Sequence, residues 1–549
     1  LELLTYFYGV ERELDACYVS EFSLILTLLN YADPSELLSE KKQLPLLHNI
    51  HIFHYDFFDD SSPLFQQQQR FDWIIGNPPW IQADSQNDQL ALQWIEAYET
   101  EQPVSSKNIA EAFSWRVLEL LNTEGRIGLI LPAASLYNLG SKKYRQCFFQ
   151  TCEVLRMTNF SNLRHVLFEG RATAPAVTIL YKKASTEAEK PLIEHYGPFS
   201  INQTPNANGY MWTITMNEHE FQTVSPDEAE RGNATTWKIA LWGTHRDKRA
   251  IDRLRQLFPK TLGQLYLENK KNGWHLHEGS QLRPCLDQDC EGLEPVPELV
   301  GKNRLNTTLM NTAERLFSIS DRALEPIPPE ECYIRIQGGK KGLLTSDPPH
   351  LIMNASWKYV IFSDEFFVIR PRQIGLAAPQ KDADYLRALS VFLSSSLARY
   401  YLFFQTPSWG TERDRITLND VKSIPIPDFS GAQIEQLAIV QSKLAQMDFE
   451  HGSSYAQAFV DDQISRIFKI PSSINVLATE FNRVRSTLIG GGNDSIAVQS
   501  PKEEDLRAYA QEIADELDAF TRPKDTHHKV VITSSQAMNC CTVAVSYTH

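Results

Sequence analysis

The stretch Phe71 to Gln82, FDWIIGNPPWIQ, restricts this chain more than any other. An apolar, strand-forming run stops at Asn77. Pro78 and Pro79 follow, and each lacks a backbone N–H and has its φ fixed, so neither a helix nor an interior strand can continue through them. A fold that accepts this stretch has to end a strand there in a rigid turn. Asn77 then presents a side-chain carbonyl acceptor and amide donors, the Pro78 carbonyl points from a fixed frame, and Trp80 adds a flat apolar face.

Those groups suit one kind of chemistry. The lone pair of an amine attached to an aromatic ring is delocalised and a poor nucleophile. Two acceptors, one on each amine hydrogen, turn the nitrogen toward tetrahedral geometry and localise that pair. Alignment and fixed dipoles supply the rate, and no strong base is needed. A base inside a duplex cannot enter such a pocket, so it has to be flipped out and held against an aromatic face such as Trp80.

The tetrapeptide Asn77-Pro78-Pro79-Trp80 after a strand resembles the catalytic motif of S-adenosylmethionine-dependent amino-methyltransferases. The closest likeness is to adenine-specific DNA methyltransferases of type IIG restriction-modification and BREX-like defence systems. NPPY and NPPF are the commoner forms in that family, and Trp80 stands where they carry Tyr or Phe. The resemblance implies a catalytic role for Asn77, Pro78, Pro79 and Trp80. It implies S-adenosylmethionine as cofactor, double-stranded DNA with a flipped adenine as substrate, and subunits of a restriction or defence system as partners.

The order of the strands extends the likeness. TYFYGVE (5–11) reads as a strand ending in Glu11, followed by an apolar-faced helix in ELDACYVSEFSLILTLLNY. A polar connector spans 33–48, and IHIFHYDFF (50–58) reads as the next strand, with Asp56 at its end. In doubly wound sheets an acidic residue at the end of the second strand takes the ribose hydroxyls of a nucleoside cofactor. By resemblance Glu11 takes the cofactor ribose, Asp56 its adenine amine, and Phe57 or Phe58 packs the purine. The family's glycine-rich loop would lie upstream of Leu1, so the sequence reads as an N-terminally truncated catalytic domain.

After Trp80, QADSQNDQ is expected to form a loop over the pocket. NIAEAFSWRVLELLNTEG reads as an amphipathic helix closed by Gly125. RIGLILP, EVLRMTNF and APAVTILYKK are expected strands, with a helix around SKKYRQCFFQ. The expected fold class is α/β, a doubly wound Rossmann-like sheet over residues 1–185. Phe160, Leu167, Phe168 and 174–181 resemble the segments that wall a target-base pocket.

From 186 to 235 the periodicity fades, and 186–254 reads as linker and insertion. Residues 237–273 then carry nine lysines and arginines against three acids in a chain of formal net charge -15. Phosphate contact through Arg246, Lys248, Arg249, Lys270, Lys271 and, in QGGKKG, Lys340 and Lys341 is the functional reading of these basic stretches, against a plain solvated face. Residues 255–430 resemble an α+β target recognition domain, closing on GTERDRITLNDVKSIPIPDF, and this favours DNA over other substrates. DYLRALSVFLSSSLARYYLFF within it reads as one long core helix. Helical patterns fill 431–525, and 526–549 is expected to be an unstructured tail.

With 42% hydrophobic and 22% charged residues, the 549-residue chain reads as globular and cytoplasmic, with no secretory signal and no run long enough for a bilayer. The eight cysteines show no paired CxxC spacing and are expected to be reduced thiols. His275, His277, Cys285 and Cys290 do not match a zinc finger, and no metal is expected. Two alternatives stand beside DNA methylation. One is methylation of RNA or of a protein glutamine amide, which uses the same tetrapeptide. The other is a catalytically silent DNA-binding remnant.

Overall fold

The computed structural model describes the chain except residues 1, 32–43, 168–173, 186–188, 207–208, 217–219, 286–289, 291, 307–316, 320–322, 337, 412–414, 447–452, 492–494, 496–498, 500, 522–526, 536–539 and 549. Phe168 and most of the 33–48 connector therefore lie outside the described residues. Two compact units divide the chain, Leu1–Ala478 and Thr479–His549.

The larger unit is mixed α/β. Among the described residues ten strands precede residue 225: β1 (Gly9–Glu11), β2 (Ile52–His54), β3 (Phe71–Gly76), β4 (Leu121–Pro132), β5 (Cys152–Asn159), β6 (Ala176–Lys183), β7 (Ile193–Tyr196), β8 (Ser200–Asn206), β9 (Gly209–Thr215) and β10 (Phe221–Val224). Six of them form a mixed sheet in the order β10-β7-β5-β6-β4-β3, with β3 at one edge. β3 runs parallel to β4 and β5 parallel to β7, while β6 is antiparallel to both its neighbours. β1 and β2 form a separate parallel pair. The Tyr8 ring nevertheless sits 5.4 Å from Phe71, so the entrance to β1 lies beside the entrance to β3.

Several sequence expectations change here. β7 and β10 belong to this sheet although they fall in the segment read as linker: each is only four residues long, too short to show a period. The helix expected to run to Gly125 covers Ile109–Arg116, adds a 3-10 turn to Leu120, and gives way to β4 at Leu121. Pairing of Leu121 with Phe71 overrides helix propensity. Gly125 is no cap: a Cβ there would lie 2.7 Å from the Phe71 carbonyl oxygen, so close strand approach is what requires glycine.

The core behind the sheet is aromatic. Trp115, Phe148 and Tyr181 are essentially fully buried, with Phe148 5.4 Å from Trp115 and 5.1 Å from Tyr181. The Tyr181 hydroxyl donates to the Ser114 carbonyl at 2.7 Å, which satisfies its polar tip inside the core.

Further along, strands His275–Glu278, Gln373–Ala377, His350–Asn354 and Val360–Ser363 form an antiparallel sheet in that order. Every residue of the 350–354 and 373–377 strands is buried. Helix Ala383–Ser394 lies near it, and the Trp357 indole donates to the Leu393 carbonyl at 3.1 Å. The single long helix expected around this point is two: Ser395 ends the first and caps the second (Ser396–Gln405), its hydroxyl accepting from the Ala398 amide. Helices Gly431–Gln446 and Ser453–Phe468 follow.

In the smaller unit, helix Glu503–Thr521 precedes an antiparallel pair, His527–Ser535 with Cys540–Thr548. The tail expected to be unstructured is thus a hairpin. Its Val530-Val531-Ile532-Thr533 run faces Thr542-Val543-Ala544-Val545, and these are largely β-branched residues that favour a pleated backbone. Cys285 and Cys290 form a disulfide rather than free thiols. Among the described residues no cluster of His, Cys, Asp and Glu is arranged to hold a metal, and no helix is long and apolar enough to cross a membrane.

Candidate active site

The Asn77–Trp80 turn leaves the carboxyl end of β3 at the edge of the six-stranded sheet. Asn77 and Pro79 are exposed, Pro78 is buried, and Trp80 is half-buried. The Trp80 indole donates to the Ile130 carbonyl of β4 at 3.2 Å, which fixes the ring against the neighbouring strand.

Glu11 is the last residue of β1 and Asp56 lies two residues beyond β2, and the parallel register of the two strands pairs Glu11 with His54. One Glu11 oxygen accepts from the Glu13 amide at 3.0 Å, and one Asp56 oxygen accepts from the Phe58 amide at 2.8 Å. Both carboxylates are half-exposed, so each keeps acceptor capacity toward solvent. Phe57 and Phe58 are less open. Phe57 stacks on Phe113 at 4.4 Å, and Phe58 is 5% exposed beneath Trp94 and Phe113. Arg116, itself buried, donates to the Phe57 carbonyl at 2.9 Å and pairs with Asp60 at 2.7 Å. The 56–60 turn is therefore pinned from behind.

Sequence reasoning missed the groups that position the segment after Trp80. Arg12 donates to the Asp88 carboxylate at 2.9 Å and to the Asn87 carbonyl at 2.8 Å, and its guanidinium lies 3.9 Å from Asp56. Asp88, only 4% exposed, also accepts from the Asp84 amide at 3.1 Å. On the other flank the Ala83 amide donates to the Lys107 carbonyl and the Ile109 amide to the Ile81 carbonyl. Behind those residues sits Glu111, buried, accepting from the Ser105 amide and hydroxyl, both at 2.7 Å, and from Ser141 at 3.1 Å. Burial raises the Glu111 pKa, and the bonds from Ser105, Ser135 and Ser141 oppose that rise. One local signal was readable: Asn108 caps the helix by accepting from the Glu111 amide, an Asn-to-Glu spacing of capping-box type. The segment expected to be a loop over the pocket is thus tied down on two sides.

The basic residues lie on separate elements. Helix His245–Leu257 exposes Arg246 and Arg249, while Lys248 is engaged by Glu228. Lys270 and Lys271 are exposed in a 3-10 turn, and Lys341 is exposed in helix Gly339–Leu343, where Lys340 pairs with Glu294 at 2.6 Å. Among the described residues no ion pair or hydrogen bond joins these three groups.

A different contact ties the two parts of this unit. Three consecutive carbonyls, of Trp409, Gly410 and Thr411, accept from Lys238, from the Trp242 indole at 3.1 Å and from Arg164 at 2.9 Å. Lys238 is fully buried, and that burial pushes its pKa well below the usual lysine value, with Asp420 opposing.

Residues 6–166, which hold every group of this site, match the family described as Eco57I restriction-modification methylase. The candidate site lies within a methylase-like segment. Over 294 residues the chain is 20% identical to the type II restriction enzyme and methyltransferase RM.Eco57I of Escherichia coli. The alignment takes in 49% of this chain and 27% of that enzyme, so the chain spans about a quarter of its curated relative. Among solved structures, the DrdV–DNA complex aligns with 82% of this chain and 52% of its own at 10% identity and a TM-score of 0.40. The type ISP enzyme LlaBIII bound to DNA aligns with 80% and 34% at 12% identity and a TM-score of 0.39. The type IIG endonuclease BpuSI aligns with 78% and 56% at 11% identity and a TM-score of 0.29.

Proposed function

We propose that this protein is a restriction-modification DNA methyltransferase that moves a methyl group from S-adenosylmethionine to the exocyclic amine of adenine. The observation that carries the reading is the exposed Asn77 beside two prolines, beyond the end of β3 and followed by a segment held to the ends of β1 and β2 through Arg12. The methylase-family match over residues 6–166 supports it.

In this reading the Asn77 side-chain oxygen and the Pro78 carbonyl each accept one amine hydrogen, and Trp80 holds the flipped base. Bound S-adenosylmethionine supplies an electrophilic methyl on a positively charged sulfur. Glu11 and Asp56 have acceptor oxygens to spare and suit a nucleoside's hydroxyls and amine. Transfer would form an N–C bond as the donor's S–C bond breaks, with the surplus proton passing from the amine to solvent. Phe57 is the better candidate to edge the purine, because Phe58 is closed in by Trp94 and Phe113. Arg246, Arg249, Lys270, Lys271 and Lys341 are the candidates for phosphate contact, with residues 255–430 as the recognition part. A cytoplasmic location and association with restriction or defence subunits belong to the same proposal.

The test gives the full-length protein plasmid DNA and methyl-labelled S-adenosylmethionine, then locates the label. Label on the adenine amine is expected. Label on RNA or on protein, with none in DNA, would replace this reading by the corresponding alternative.

A further inference from the structure

The structure assigns to Arg12 a positioning role: it tethers the segment that follows the Asn77–Trp80 turn to the strand ends holding Glu11 and Asp56. The assignment rests on the proposed function, because it takes the turn as the base side and those strand ends as the cofactor side.

Arg12 is the residue after β1, and its own position is fixed through the main chain: its carbonyl is hydrogen-bonded to His54 Nε2 at 2.9 Å. From there the guanidinium spreads its donors. One nitrogen serves the Asp88 carboxylate at 2.9 Å and lies 3.9 Å from the second oxygen of Asp56; the other serves the Asn87 carbonyl at 2.8 Å. A planar fork of this kind can hold a carboxylate and a carbonyl together, which a point-charge ammonium cannot do.

The segment being held is rigid in itself. Asp84 accepts from the amides of Gln86 and Asn87 at 2.8 and 2.9 Å and from the Asn87 side chain at 3.0 Å. Asp88 then closes the turn by accepting from the Asp84 amide, so its two oxygens are divided between Arg12 and that amide. Movement of Arg12 is thereby passed to a compact turn rather than lost in a slack loop. That turn continues from Gln82 and Ala83, whose other flank is bonded to Lys107 and Asn108. Without Arg12 the segment keeps one anchor of two.

The same guanidinium balances charge that would otherwise accumulate. Asp56, Asp88 and Glu13 all act on it, and the Asp88 hydrogen bond is the largest influence raising its pKa. Asp88 is nearly buried, and an unpaired carboxylate there would be costly. Asp56 faces the proposed cofactor side. One cation therefore serves a carboxylate on each side of the reaction.

Hydrogen exchange and steady-state kinetics on the full-length protein test the assignment. In the ligand-free protein, Arg12→Gln should speed exchange of the 84–88 amides by about tenfold while amides of the 350–354 strand stay unchanged. The Arg12→Gln/Asp88→Asn double variant removes the buried unpaired charge and should show the same local acceleration. Where the wild type transfers methyl groups, Arg12→Gln should lower kcat by about tenfold and move the KM for DNA less than twofold. Arg12→Lys, which keeps the Asp88 pair and loses the Asn87 bond, should fall between. Unchanged exchange at 84–88 in both variants overturns the tether. Faster exchange with unaltered kcat overturns its role in transfer. A wild type that methylates nothing sinks the proposed function instead, and the exchange measurement still decides the tether.

Discussion

The six-stranded and the four-stranded sheet of the larger unit treat apolar strands in opposite ways. β3, FDWIIG, carries four large apolar residues in six, yet Trp73 is 59% exposed and Ile75 81% exposed. The strands HLIMN and QIGLA of the second sheet are buried at every position. Among the described residues β3 pairs with β4 on one edge only and carries the candidate site at its end, whereas the 350–354 strand is flanked by partners on both edges. An apolar run reports what a strand can tolerate, and topology decides what it is given. Strand ends that receive ligands cannot be sealed, while strands that only support can.

The contrast is open to direct tests. The largest effect is expected in the sealed sheet. Ile352→Asp would place an unpaired charge in a fully buried position and should destabilise the protein by more than about 4 kcal/mol in urea unfolding. Next comes the site. Asn77→Ala should reduce methyl transfer by about 10²- to 10³-fold with little change in melting temperature, because Asn77 is exposed and supports no core. Full transfer by this variant would reject the mechanism.

A third test uses pH and one histidine from each region. Burial lowers both His195 of β7 and His350 of the second sheet to about 4. Each is neutral when folded and takes up its proton more readily when unfolded. Stability linked to them is full above the unfolded pKa of about 6.5 and is lost as pH falls from there through about 4. The loss should be at most about 3 kcal/mol for each, seen as a falling urea midpoint and reduced in His195→Phe or His350→Phe. The smallest effect is expected at the open edge: Ile75→Ser should change stability by less than about 0.5 kcal/mol. A cost of several kcal/mol there would mean that β3 is covered in solution, and the contrast would fail.

Much of this was readable from the sequence, and the exceptions have physical causes. The helix at Leu14–Tyr31, the strands Cys152–Asn159 and Ala176–Lys183, and the end of β3 at Gly76, just before the two prolines, sit where periodicity and proline chemistry put them. β7 and β10 were hidden by their brevity. The false extension to Gly125 arose because strand pairing between Phe71 and Leu121, fifty residues apart, outweighed local helix preference. Ser395 divides a helix that the apolar pattern joins, since a pattern of faces says little about caps. In the tail, the strand signal rests on β-branched residues flanked by His, Ser and Cys, without a clean two-residue alternation. Within the site, the strand-end residues carried a sequence signal. Arg12, Asp88 and Glu111 carried almost none, because their roles depend on partners 76 residues away or on a buried serine cluster.

The row of peptide oxygens at 409–411 bears on any attempt at modular re-engineering. A chimera that exchanged residues 255–430 for a foreign counterpart would remove the acceptors on which Lys238, Trp242 and Arg164 depend, and would strand an interior amine. Such a graft has to import a loop with three carbonyls in matching succession, or else replace Lys238 with an apolar side chain at the same time.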